Sequence, residues 1–243
     1  MSVFVFGDIH GGYKALVALI KKLEPGTDDQ LIFLGDYVDG WSQAIETIDY
    51  LMELDSRFDC VFLKGNHDAL ALDWLENGQA NPQWLDHGGR ATVASYQGLS
   101  AALKAEHIRF YKALKSYYID AQNRLFVHAG FSNLKGVAFE YFEKTFYWDR
   151  TLWETALSLD PCLEVSSALY PKRFRLYKEV FIGHTPVSRI GETVPVLKAN
   201  IWNIDTAAAF RGPLTAMEIH SKQFWQSGPV CEYYPQELGR NPA

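Results

Sequence analysis

Six short runs set the frame for this chain: VFVF (Val3–Phe6), LIFL (Leu31–Leu34), CVFL (Cys60–Leu63), RLFV (Arg124–Val127), EVFI (Glu179–Ile182) and IWNI (Ile201–Ile204). They are brief and rich in β-branched and aromatic residues, which marks buried strands rather than helices. Between the early runs lie apolar positions at helical spacing. Leu16, Leu19, Ile20 and Leu23 share one helix face, and Ile45, Ile48 and Met52 share another after Ser42, a candidate N-cap. Strand–helix–strand–helix–strand implies parallel pairing, so the first third reads as α/β with a parallel sheet. His67 to Tyr117 reads as mostly helical and Gly136 to Leu159 as helical. After Glu179 the chain turns strand-rich, with Leu214–Ile219 opening a hairpin. No repeat, low-complexity tract or linker interrupts the pattern. Residues 1–235 are therefore read as one domain and 236–243 as a loose tail.

A domain of 243 residues can bury a sizeable core. With 48% hydrophobic and 21% charged residues, disordered and fibrous classes are excluded. The net charge of −6 argues against a nucleic acid duplex or an anionic membrane as partner, so an anionic substrate needs a local positive site. Cys60, Cys162 and Cys231 are odd in number and far apart, which is no disulfide framework and suits a reducing compartment. Cys60, opening an apolar run, is read as core. The first residues lack a basic leader pattern, and no stretch reaches membrane-spanning length, so a cytoplasmic location is expected.

Five of the six runs end in residues suited to metal chemistry. The first is followed by Gly7-Asp8-Ile9-His10, the second by Gly35-Asp36 with Asp39 beyond, and the third by Gly65-Asn66-His67-Asp68. The fourth leads into His128-Ala129-Gly130 and the fifth into Gly183-His184-Thr185. Sites in parallel α/β sheets form outside the carboxyl ends of the strands. Neighbouring strands would thus bring Asp8, His10, Asp36, Asn66, His128 and His184 together. Taken singly, each has a bland reading as a helix cap or a core histidine; agreement at five strand ends does not. Imidazole, carboxylate and amide donors suit manganese, iron or zinc better than calcium or magnesium. Six donors are too many for one tetrahedral ion and fit two divalent ions sharing Asp36. Two such ions carry four positive charges against two from Asp8 and Asp36, leaving a cationic site that suits phosphate. Water on such ions ionises near neutral pH and attacks in line.

These motifs, GDIHG, GDYVDG, GNHD, HAG and GHTP, together with NIDTAAAF at Asn203–Phe210, resemble the calcineurin-like metallophosphoesterases. The nearest likeness is to the bacterial phosphoprotein phosphatase branch, which also holds symmetrical dinucleoside tetraphosphate hydrolases. WLDHGGRATVASY (Trp84–Tyr96) resembles that branch's tryptophan–asparagine–glycine–glycine segment, with His87 at the asparagine position. WDR (Trp148–Arg150) resembles its arginine-bearing segment. The resemblance implies a four-layer α-β-β-α fold, a two-sheet β-sandwich flanked by helices, with a dinuclear site. Asp8, His10 and Asp36 would hold one ion; Asp36, Asn66, His128 and His184 would hold the other. His67 would be the general acid, oriented by Asp39, and Arg150, with Asn66, would bind the substrate phosphate. A histidine titrates near working pH, which suits that role.

One departure stands out. The branch usually reads GDYVDRG, where the arginine clamps phosphate; here Gly40 and Trp41 follow Asp39. Arg90 and Arg211 are candidate substitutes. Lys172-Arg173-Phe174-Arg175 is either a solvated face or a guide for acidic substrates. Trp41 either stacks on a nucleobase or covers the start of the next helix. The leading expectation is a manganese-dependent hydrolase of phosphomonoesters, phosphoserine and phosphothreonine among them. The second is a hydrolase of dinucleoside polyphosphates or another nucleotide, and the third a non-catalytic metal-binding module.

Overall fold

The computed structural model describes residues 1–242. Among these residues there are ten strands, β1 (Val3–Phe6), β2 (Gln30–Phe33), β3 (Asp59–Phe62), β4 (Tyr117–Ile119), β5 (Leu125–Val127), β6 (Val180–Ile182), β7 (Val196–Lys198), β8 (Ile201–Asn203), β9 (Pro213–Glu218) and β10 (Phe224–Pro229), of which β1, β2, β3, β5, β6 and β8 arise from the six apolar runs. They form two five-stranded mixed sheets, ordered β10-β9-β1-β2-β3 and β4-β5-β6-β8-β7. Strands β1, β2 and β3 are parallel, as expected, and so are β5, β6 and β8; β9 runs antiparallel to β1. The hairpin expected after Leu214 is β9–β10.

Alternation of side chains explains why largely apolar runs suit both sheets, whose two faces are both covered. Val5, Ile32 and Val61 from the first sheet meet Phe126, Phe181 and Ile204 from the second in a sealed inner layer. The intervening residues face outward. Phe4, Phe6, Leu31 and Phe33 pack under α1 (Tyr13–Leu23) and α2 (Ala44–Asp55). Leu125, Val127, Val180 and Ile182 pack with Leu152 and Trp153 on the other side. The four layers of the expected sandwich are thus present, and both sheets end their parallel strands on the same side of the seam.

The remaining helices are α3 (Asn66–Asn77), α4 (Pro82–Trp84), α5 (Arg90–Ser95), α6 (Ala101–Ala113), α7 (Thr145–Trp148), α8 (Thr151–Ser158) and α9 (Val230–Tyr233). Three local expectations change. Ser42 does not cap α2; Gln43 holds that position without a side-chain bond, and Ser42 Oγ donates instead to Glu237 Oε1 at 2.7 Å. Gly136–Leu159 is not one helix: a 3₁₀ turn at Val137–Phe139 is followed by α7 and α8, separated where Asp149 turns extended. Cys60 is half-buried at the edge of the core rather than within it. No helix among the described residues is long and apolar enough to cross a membrane.

Residues beyond Tyr233 run back across the first sheet's turns. Tyr234 stacks on Trp41 with ring centres 5.3 Å apart, and Glu237 also accepts the Ser42 N–H at 2.9 Å. Arg240 N–H donates to the Ala209 carbonyl at 2.9 Å.

Candidate active site

The turn after β2 is the organising loop. Its backbone is left-handed at Asp36 (φ 55°) and Asp39 (φ 73°), and the partner turns are left-handed at His10 (φ 54°) and His184 (φ 67°). Non-glycine residues rarely adopt this region, and such strain gathers at functional sites. Here it is held by hydrogen bonds. Ile9 and His10 N–H groups donate to the Asp36 carbonyl, while the buried Asp68 carboxylate accepts from the N–H groups of Asp36, Tyr37 and Gly65. Two glycines leave the room required. A Cβ on Gly65 would lie 2.1 Å from Asp36 Oδ1, and one on Gly183 would lie 2.1 Å from Asp8 Oδ1.

The six expected donors come together and all are buried. His10 Nε2 lies 3.6 Å from Asp36 Oδ2 and 3.9 Å from Asp8 Oδ2. On the other side of Asp36, His128 Nε2 is 3.4 Å from the same oxygen, and Asn66 Oδ1 is 2.9 Å from His184 Nδ1. Asp36 therefore stands between the two sets. The ring orientations are fixed from behind: His10 Nδ1 donates to the Asp39 carbonyl at 2.8 Å, and His128 Nδ1 to the Leu34 carbonyl at 2.8 Å. Each bond turns Nε2 toward the centre, the usual outer support of a metal-ligating imidazole.

The electrostatics fit cations. Burial, then the neighbouring Asp205, pushes the Asp8 carboxyl well above its usual range. Burial likewise raises Asp205 to about 6. Asp36 is held well below the usual range; burial opposes this, but the charges of His128 and His67 outweigh it. Burial pulls His10 and His184 well down, which leaves neutral imidazoles with free lone pairs. Asp8 Oδ1 and His184 Nε2 are buried with no hydrogen-bond partner in the protein. Buried polar atoms are rarely left so, and both belong to residues of the candidate donor set. Ligand atoms of His10 and Asp36 form one close group, in which His67 rather than Asp8 is the third member, Asp8 Oδ2 lying 3.9 Å from His10 Nε2; Asp36, His128 and His184 form a second. The residues thus fit two divalent ions.

His67 Nδ1 donates to Asp39 Oδ2 at 2.6 Å. That carboxylate is further satisfied by Trp84 Nε1 and by Thr92 Oγ1. Asp39 thus does two jobs, its carbonyl orienting His10 and its side chain holding His67.

A cleft of about 430 Å³ opens over the centre, within the range of small-molecule sites. Arg150 lines it and donates to Thr185 Oγ1 at 3.0 Å. Arg189 and Arg240 line it too, as do Trp148 and Phe210. Carboxylate partners within 4.0 Å are found for Arg57, Arg90, Arg109 and Arg124, but for none of the three cleft arginines among the described residues. Burial, then the Arg189 charge, draws the Arg150 pKa down.

The candidates to replace the missing arginine fail. Arg90 is exposed and pairs with Asp86 at 2.6 Å, and Arg211 is exposed outside the cleft. In the Lys172–Arg175 run, read as a solvated face or a substrate guide, Arg173 is committed to the Phe131 carbonyl and to Thr151. Nor can Trp41 stack on a base: it is 0% exposed, and its Nε1 donates to the Ala208 carbonyl. Trp148, at 46% exposed, is the aromatic open to the cleft mouth. His87, also in the lining, turns its Nδ1 to the Gln83 carbonyl. Sequence reasoning did not single out Asp68, Asp205, Arg189 or Arg240. The first two lie inside motifs already noted; the arginines stand in no recognisable pattern.

The model of the calcineurin-like phosphoesterases matches residues 1–206. The chain belongs to this family. It is thereby a metallophosphoesterase, whose family uses a dinuclear divalent metal site. Among curated relatives, it is 31% identical over 237 residues to the asymmetrical bis(5'-nucleosyl)-tetraphosphatase PrpE of Geobacillus thermodenitrificans, covering 89% of this chain and 90% of the relative. The PrpE of Bacillus velezensis is 29% identical over 236 residues, with 90% and 89% covered. Solved structures share the fold. One provisionally named a diadenosine tetraphosphatase has a TM-score of 0.64 at 18% identity, with 93% of each chain covered. A protein serine/threonine phosphatase of Saccharomyces cerevisiae gives 0.60 at 14%, with 94% of this chain and 80% of that one covered.

Proposed function

We propose that this chain is a metal-dependent hydrolase of nucleoside polyphosphates, with dinucleoside tetraphosphates as the main class. The observation that carries this reading is the cleft wall: three guanidinium groups without carboxylate partners among the described residues, beside exposed Trp148 and half-buried Phe210. The branch this chain resembles brings two such forks to a single phosphoryl group; a third fork and a stacking surface suit a chain of phosphates ending in aromatic bases. The full-length relatives named as asymmetrical tetraphosphatases support the same choice. They favour the second of the two enzymatic readings over phosphoprotein hydrolysis, and cleavage into mono- and triphosphate over the symmetrical split.

Asp8, His10 and Asp36 would hold one ion, and Asp36, Asn66, His128 and His184 the other; manganese suits the mixed donors, as do iron and zinc. When bound, the ions supply Lewis acidity toward a phosphoryl oxygen and acidify water. The chain's own groups do the rest. Arg150, tethered by Thr185, presents its fork to the phosphoryl group under attack, with the Asn66 amide alongside. His67, aimed by Asp39, gives a proton to the leaving oxygen. The Asp39 and Leu34 carbonyls, accepting from Nδ1 of His10 and His128, keep Nε2 of each ring toward the centre.

The test compares kcat/KM on diadenosine tetraphosphate, a phosphoserine peptide and an aryl phosphate, with added manganese and with chelator. The tetraphosphate should lead, products should be the mono- and triphosphate, and chelation should abolish turnover. Preference for the peptide would overturn the substrate assignment. Activity surviving in both Asp8→Asn and His128→Ala would overturn the site, and a metal-replete but inert protein would favour the binding-module reading.

A further inference from the structure

Gly40 sits at φ +130°, a conformation side chains rarely adopt, and a Cβ there would lie 3.3 Å from the His10 carbonyl oxygen and 3.4 Å from Arg240 Cγ. A Cβ on Gly88 would lie 3.2 Å from the same Arg240 carbon. The Arg240 stem therefore runs between two backbone turns whose residues carry no side chain. Its guanidinium lies 5.5 Å over the Phe210 ring and lines the cleft with Arg150 and Arg189.

Trp41 explains how the residue gets there. Its buried ring supports the returning chain: Tyr234 stacks on one part of it, and Gly239 packs so close that a Cβ would meet the ring at 2.7 Å. Glu237 ties the same segment to Ser42, and the Arg240 N–H ties it to Ala209. The departure at positions 40 and 41 is thus a matched pair. Glycine makes the room, and tryptophan makes the platform.

We propose that Arg240, delivered by the C-terminal segment into the space left at Gly40, is the second phosphate-clamping residue of this site. Its ligand is the phosphate chain of the substrate, bound by a guanidinium fork that an arginine at position 40 would otherwise supply. The inference rests on the nucleotide reading for its physiological ligand, but its test does not need turnover.

Manganese-loaded wild type, Arg240→Met and Arg240→Lys are titrated calorimetrically with inorganic tripolyphosphate, and KM and kcat are measured on diadenosine tetraphosphate. Methionine keeps most of the apolar stem and removes the fork. Arg240→Met should raise Kd and KM by about tenfold or more, with kcat within about threefold, and Arg240→Lys should fall between. Manganese content and Tm should match wild type, and Arg90→Met should change nothing. A Kd within about twofold of wild type would overturn the proposal, as would loss of manganese from Arg240→Met, which would place its effect on the centre instead. If wild type prefers the phosphopeptide, the substrate reading falls, while tripolyphosphate binding still decides the role of Arg240.

Discussion

Substitution of Asp39 by asparagine separates the proton-donor support from the metal site. The carboxylate accepts from His67 Nδ1 at 2.6 Å, from Trp84 Nε1 and from the Thr92 hydroxyl. Asparagine preserves the shape. With its oxygen toward His67 and Trp84, its amide faces Thr92, whose hydroxyl can turn to accept. The backbone bond from Asp39 to His10 is untouched. What is lost is charge: a charge-assisted bond of roughly 1.5–3 kcal/mol becomes a neutral one of roughly 0.5–1.5 kcal/mol. The difference at His67 is therefore about 1–2 kcal/mol, or about 5- to 30-fold in kcat. His67→Gln, which removes the donor, should cost about 10²- to 10⁴-fold. The assay is kcat across aryl phosphates of rising leaving-group pKa, on protein with its manganese measured. A proton donor matters most when the leaving group is poor. The penalty of Asp39→Asn should therefore grow along the series and be smallest for p-nitrophenyl phosphate. An equal loss across the series with manganese retained, or a loss of manganese, would refute the assignment of Asp39 to His67.

Gly183→Ala should lower manganese affinity by about 10- to 100-fold, because its Cβ displaces Asp8; calorimetric titration giving wild-type affinity would disprove the cradle. Trp41→Ala should cost about 3–5 kcal/mol, the usual loss for a large buried aromatic, and lower Tm by roughly 6–20 °C in a thermal melt. A shift under about 2 °C would contradict its packing. Burial, reinforced by Asp55 and Asp59, pushes the Cys60 thiol up to about 12, so iodoacetamide at pH 8 should modify exposed Cys162 well before Cys60. Peptide mass spectrometry reads the order, and early labelling of Cys60 would contradict it.

The convergence of the candidate donors was readable in sequence because each sits within a few residues of its strand, where local pattern and chemistry coincide. Asp8, Asp36 and His184 are positioned by turns that glycine spacing announces. The edge strands β4 and β7 were not foreseen; they are three residues each, with side chains half-buried or exposed, so no alternation marks them. Gly136–Leu159 shows helical composition, but the extended backbone at Asp149 divides it: the carboxylate bonds the N–H groups of Thr151 and Leu152 and so starts a new helix. Trp41 and Arg240 lie beyond local reasoning altogether. Trp41 meets Tyr234 and Gly239, and Arg240 meets Gly40, from opposite ends of the chain, and nothing in Gly239-Arg240 distinguishes it from any loop.

The donors also divide by sheet: Asp8, His10, Asp36 and Asn66 follow strands of the first, His128 and His184 follow strands of the second. A ribosome releases the four early donors well before the two late ones. The proposed coordination set would be complete only once residue 184 has emerged and the second sheet has docked on the first. On that assignment, occupancy of both ion positions would certify completed folding, and a cation acquired by the nascent first half would be held by an incomplete shell.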